Sequence, residues 1–148
     1  MRSSTATVSI PHIIIDTNVL VSALRSRRGA SFRLLELLGS GKYEFSVSVP
    51  LVLEYEVVSK RQLGEISLSE DDIDNVIDYI CSVAQHQQIS FLWRPFLKDV
   101  RDDMVLELAV SSGCDTIVTY NKKDFVGVDL FGIRVLTARE FLQDIGEI

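Results

Sequence analysis

Residues 12–18 read His12-Ile13-Ile14-Ile15-Asp16-Thr17-Asn18. Uninterrupted isoleucines fit a strand buried on both faces, as in a parallel sheet. Asp16 closes that strand, where an open α/β sheet places its binding crevice. An ionised carboxylate there is costly to desolvate unless a cation or strong donors meet it. Three more acids, Glu54, Asp102 and Asp124, fall at suitable places further along the chain. Four carboxylates on one crevice point to divalent cations, and divalent cations point to phosphodiester chemistry.

Outward from this stretch, strand-like runs alternate with helical ones, which predicts a parallel sheet covered on both faces. The strand at 12–16 leads to a short helix at 18–24, broken by an Arg/Ser/Gly stretch. Residues 30–38 predict a second helix with Phe32, Leu35 and Leu38 on one stripe, stopped by Gly39 and Gly41. The second strand is 43–47. Ser48 is placed to cap the next helix, with Pro50 in its first turn and the stripe Leu51, Glu54, Tyr55 and Val58. Ser69 opens a long helix with Glu70, Asp71 and Asp72 in its first turn and Ile73, Ile77, Ile80 and Ala84 on its apolar side. Residues 89–93 predict a third strand, with Pro95 in the loop beyond. A helix follows at 102–112, then strands at 116–119 and 133–136. Thr137 and Glu140 have capping-box spacing for a last helix carrying Phe141, Leu142 and Ile145.

At 148 residues the chain is sized for one domain with a sizeable core. We expect residues 1–10 to be a disordered lead-in and 11–148 the folded domain. No apolar stretch reaches the roughly 18 residues of a membrane span, and a cytoplasmic location is expected. Cys81 and Cys114 have no Cys-x-x-Cys spacing and read as reduced structural residues. His12 and His86 lack metal-ligand spacing. The net charge of −6 opposes general attraction to phosphate. Cations bound at a carboxylate cluster would offset part of it. Local basic groups remain: Arg25, Arg27 and Arg28; Lys60 and Arg61; Lys122 and Lys123.

Each candidate acid has a structural alternative. Asp16 reads as a helix cap or as a ligand, and Asn18 as its orienting partner or a first-turn polar residue. Glu54, between apolar residues at helical spacing, faces the sheet or pairs with a basic residue at the boundary. Glu56 lies on a different face and is the solvent-side control. Asp99 reads as the cap of the fifth helix, with Asp102 reaching back to it. The near-continuous apolar run after Asp102 buries that helix and directs its start towards Asp16. In Thr119-Tyr120-Asn121-Lys122-Lys123-Asp124, the residues Thr119, Asn121 and Asp124 bind phosphate or metal-held water, or serve turn chemistry.

Ile14-Ile15-Asp16-Thr17-Asn18-Val19-Leu20, Val49 to Tyr55, Asp102 to Ala109 and Ile117 to Phe125 resemble, in order, the four blocks of the PIN domain family. Val135 to Leu142 resembles that family's end. Within the family the likeness is to the VapC-like toxins of type II toxin–antitoxin pairs. The resemblance implies a three-layer α/β domain with a central parallel sheet of about five strands, ordered 3-2-1-4-5, and helices on both faces. It implies a metal-dependent endoribonuclease, often dimeric, inhibited by a cognate antitoxin. By position, Asp16, Glu54 and Asp102 are its first three acids. The fourth falls on Asn121, where many members have Asp, or on neighbouring Asp124.

Mg²⁺ or Mn²⁺ is the expected cofactor, since hard cations take oxygen ligands and no His/Cys set favours zinc. We expect Asp16, Asp102 and Asp124 to be metal ligands, Glu54 to complete the catalytic acids, and Asn18, Thr119 and Asn121 to position single-stranded RNA. The alternative is a PIN-fold binding module without catalysis, which the neutral Asn121 favours. A phosphotransfer domain with Asp16 as nucleophile lacks the upstream acidic pair and later lysine it would need. A nucleotide binder lacks a Gly-rich phosphate loop.

Overall fold

The computed structural model describes residues 10–89 and 96–148. The expected lead-in therefore lies almost wholly outside the described residues. Ile13, Ile14 and Ile15 are each no more than 3% exposed. Neighbouring strand residues point to opposite faces, so this burial requires cover on both sides of the sheet. The central strand β1 (His12–Ile15) pairs in parallel with β2 (Glu44–Val47) on one side and β4 (Thr116–Val118) on the other. β3 (Gln85–His86) flanks β2, and β5 (Arg134–Leu136) flanks β4. The order is β3-β2-β1-β4-β5, all parallel, as expected. The connections reverse direction between β1 and β4, and the crevice of such a sheet opens at the carboxyl ends of those two strands.

Six helices cover the sheet among the described residues: α1 (Thr17–Arg25), α2 (Ala30–Glu36), α3 (Val49–Lys60), α4 (Glu70–Val83), α5 (Val100–Ser112) and α6 (Ala138–Asp144). Ser48 caps α3 by accepting the Leu51 amide. Ser69 with Asp72, and Thr137 with Glu140, form capping boxes at the starts of α4 and α6. These side chains satisfy amides that a helix start otherwise leaves unpaired. None of these helices is long and apolar enough to cross a membrane.

Three expectations are corrected. The third strand is Gln85–His86; Ile89 lies outside any strand, and the rest of the expected strand falls beyond the described residues. A two-residue edge strand needs only backbone partners, so exposed polar side chains serve. In α2 the buried residues are Ser31 and Leu34, and of the expected stripe Leu38, just beyond the helix, is buried while Phe32 and Leu35 are half-buried along an open groove towards α4. At α5, Asp99 alone caps the helix by accepting the Arg101 amide at 2.8 Å, in place of a capping box with Asp102.

Candidate active site

Asp16 sits one residue beyond β1 and is 7% exposed. Its amide donates to Val118 at 2.9 Å, which ties the end of β1 to β4. Oδ1 accepts the Thr17 amide at 2.8 Å, and Oδ2 accepts the Thr119 hydroxyl at 2.8 Å and the Asn18 side-chain amide at 3.3 Å. Asp16 is therefore a helix cap and a cleft acid at once. Burial holds its pKa above the usual carboxylate value. The Thr119 and Thr17 bonds oppose that rise, while the charges of Glu54 and Asp124 add to it.

Thr119 is fully buried. Its single hydroxyl proton goes to Asp16, and its oxygen accepts the Asn121 amide at 3.0 Å and the Asn18 side-chain amide at 3.1 Å. The expected contact to a phosphate oxygen gives way to this one, because a buried hydroxyl with one proton cannot serve both. Asn18 is engaged at its other end too, where Oδ1 accepts the Tyr120 amide at 3.1 Å. Together Asn18 and Thr119 lock the β1 and β4 loops around the Asp16 carboxylate.

Leu51 and Tyr55 are buried on the inner face of α3, which turns half-buried Glu54 and Val58 along the cleft wall. Glu54 Oε1 accepts the Thr17 hydroxyl. Glu56 points away and pairs with Lys60 at 2.9 Å. Asp102, in the first turn of α5, is half-buried on the opposite wall. Burial pushes its pKa up to about 6, helped by the charges of Asp16, Asp99 and Asp124 and opposed by Arg101. Asn121 and Asp124 are exposed at the mouth, on a 3₁₀ turn (Lys122–Phe125) anchored by buried Phe125.

Asp16, Asn18, Glu54, Asp102, Asn121 and Asp124 thus line one cleft of about 470 Å³ at the switch point. Thr119 lies beneath its floor. Two guanidinium groups flank the acids: Arg25, hydrogen-bonded to Gln62, and Arg101, paired with Asp99 at 2.9 Å. Arg101 and Asp99 were absent from the sequence-derived cleft set. A cation in the first turn of a helix opposes the macrodipole, and that mismatch was the available signal. Among the other basic groups, Lys60 meets Glu56, Glu70 and Asp74, and Lys122 meets Glu140.

The donor set fits a hard divalent cation. The carboxylates and side-chain amides that line the cleft offer oxygen donors, and neighbouring negative charge adds to the burial that raises the pKa of Asp16 and Asp102, a cost that a cation would relieve. Among the described residues, no group of three His, Cys, Asp or Glu side chains converges tightly enough to cage a metal ion.

The PIN domain profile matches residues 12–123. The fold is shared with a crystal structure of VapBC2 from Rickettsia felis bound to a DNA fragment from their promoter. The TM-score is 0.58 at 15% identity, over 85% of this chain and 98% of that one. No curated protein matches the sequence.

Proposed function

Because this chain belongs to the PIN domain family, we propose that the acid cleft hydrolyses phosphodiester bonds of single-stranded RNA with Mg²⁺ or Mn²⁺. The carrying observation is that Asp16, Glu54, Asp102 and Asp124, from four separated segments, line one cleft. When bound, the divalent cation lowers the pKa of a water and offsets charge on the phosphate. Asp16 at the floor and Asp102 on the α5 wall would hold it, with Asp124 at the mouth and Glu54 orienting a ligand water. Asn121 is placed to contact the substrate beside Asp124. Arg25 and Arg101 supply donors for neighbouring phosphates, which an otherwise acidic cleft needs. Hydrolysis at the 3′-oxygen leaves a 5′-phosphate.

The same reading makes this chain the toxin of a toxin–antitoxin pair, cytoplasmic and homodimeric. The open apolar groove of about 550 Å³ between α1, α2 and α4, lined by Leu24, Phe32, Leu35, Val76 and Tyr79, supports a protein partner. Val49, Leu53 and Val57 are exposed at four-residue spacing on α3 and support self-association.

A nuclease assay on mixed RNA substrates, with and without Mn²⁺, tests the catalytic claim. Cleavage by the wild-type chain and none by a folded Asp16→Ala protein is the expected result; undiminished cleavage by Asp16→Ala overturns it. A second reading, a binding module without catalysis, is favoured by the neutral Asn121 at the cleft mouth. RNA binding without cleavage at any Mn²⁺ concentration would select it.

A further inference from the structure

Ile15, Asp16 and Thr17 are consecutive, and so are Glu54 and Tyr55. Two hydroxyl bonds cross between these segments. The Thr17 hydroxyl donates to Glu54 Oε1, and the Tyr55 hydroxyl donates to the Ile15 carbonyl at 2.5 Å. Thr17 is 5% exposed and Tyr55 1%. Each bond joins an immediate neighbour of one acid to α3 at or beside the other acid.

We propose that Thr17 and Tyr55 are positioning residues, a two-point clasp that sets the placement of Glu54 relative to Asp16. One bond would leave α3 free to pivot about it; two bonds from adjacent residues fix both its rotation and its height against β1. Thr17 is the first residue of α1, so no preceding helical turn offers its hydroxyl a carbonyl partner, and it is available to Glu54. The Tyr55 ring is a rigid lever, and its buried hydroxyl requires the acceptor that Ile15 supplies. The role of the clasp rests on the reading of Asp16 and Glu54 as acids of one site.

The test combines stability of the metal-free protein with Mn²⁺ titration calorimetry. T17V is expected to lower Tm by about 3 °C when Glu54 is present, and by much less in an E54L background. T17V and Y55F should each weaken Mn²⁺ binding by about tenfold, and T17S should restore it. Additive Tm changes for T17V and E54L overturn the clasp whatever the metal does. So does wild-type Mn²⁺ affinity in both T17V and Y55F. Non-additive Tm changes in a wild-type chain that binds no Mn²⁺ instead overturn the metal reading and leave the clasp standing.

Discussion

The Asp16 carboxylate and the Thr119 hydroxyl, 103 positions apart in the chain, meet at 2.8 Å in the buried floor of the cleft. One lies after β1 and the other after β4, so the bond spans the switch point of the sheet. It fixes the direction of the Asp16 carboxylate before any ligand arrives, as a supporting hydrogen bond does for a metal-binding group.

Replacing that hydroxyl by a methyl of similar size should therefore disturb chemistry more than fold. Thr119→Val is expected to lower RNA cleavage by about 10- to 100-fold, and Thr119→Ser should retain most of it. Steady-state cleavage rates, with circular dichroism as the check on folding, decide. Equal rates in Thr119→Val and wild type would remove the orienting role.

The acids also predict a pH dependence. The folded pKa of Asp102 is about 6 against an ordinary 3.8. Between those values the folded state holds more protons than the unfolded one. The contribution is present below the unfolded pKa and lost as pH rises through about 6. Asp16 acts in the same direction. Asp72, Asp99, Glu140 and Glu147 are held low mainly by hydrogen bonds and act oppositely. The readout is therefore a difference. In the metal-free protein, the Tm of Asp102→Asn should gain on wild type as pH rises from 4 to 7. Parallel Tm curves would contradict it.

Glu54 and Glu56, two residues apart on α3, separate cleft from surface. Glu54→Gln should lower cleavage by about tenfold or more. Glu56→Gln breaks a half-exposed pair with Lys60, which keeps Glu70 and Asp74, and should change neither cleavage nor Tm appreciably. Kinetics on both variants checks the assignment, and equal effects would refute it.

Asp103 supports the approach to α5. It is buried, and its Oδ1 accepts the Phe96 and Leu97 amides at 3.1 and 2.7 Å while Oδ2 has no partner among the described residues. Asp103→Ala should destabilise the protein by about 1–3 kcal/mol, because two amides lose their acceptor. Asp103→Asn keeps an acceptor oxygen and should cost less than half as much. Urea denaturation of both variants measures this.

Legibility in the sequence followed the range of the interactions. The isoleucines of β1, the Ser48 and Ser69 caps and the Thr137–Glu140 box are local patterns, and each element formed near its expected place. The sheet order came from the family resemblance, carried by four ordered blocks, and the strand pairing bears it out. β3 was misplaced because two exposed polar residues carry no periodicity, whereas the apolar run after Ile89 does. The four acids and Asn121 were named from the chain, and the structure brings them to one cleft. The engagement of Thr119 by Asp16, the Arg101–Asp99 pair at the rim and the Thr17–Glu54 bond were not legible. Each depends on a side-chain direction that spacing alone does not set.

The central claim is that Asp16 at the floor of the cleft and Asp102 on its α5 wall share a divalent cation. Calorimetric titration of Mn²⁺ into wild type, Asp16→Asn and Asp102→Asn tests it most directly. The account predicts binding to wild type and an affinity at least about tenfold weaker in each variant. No binding to wild type at millimolar Mn²⁺, or equal affinity in all three folded proteins, would contradict it.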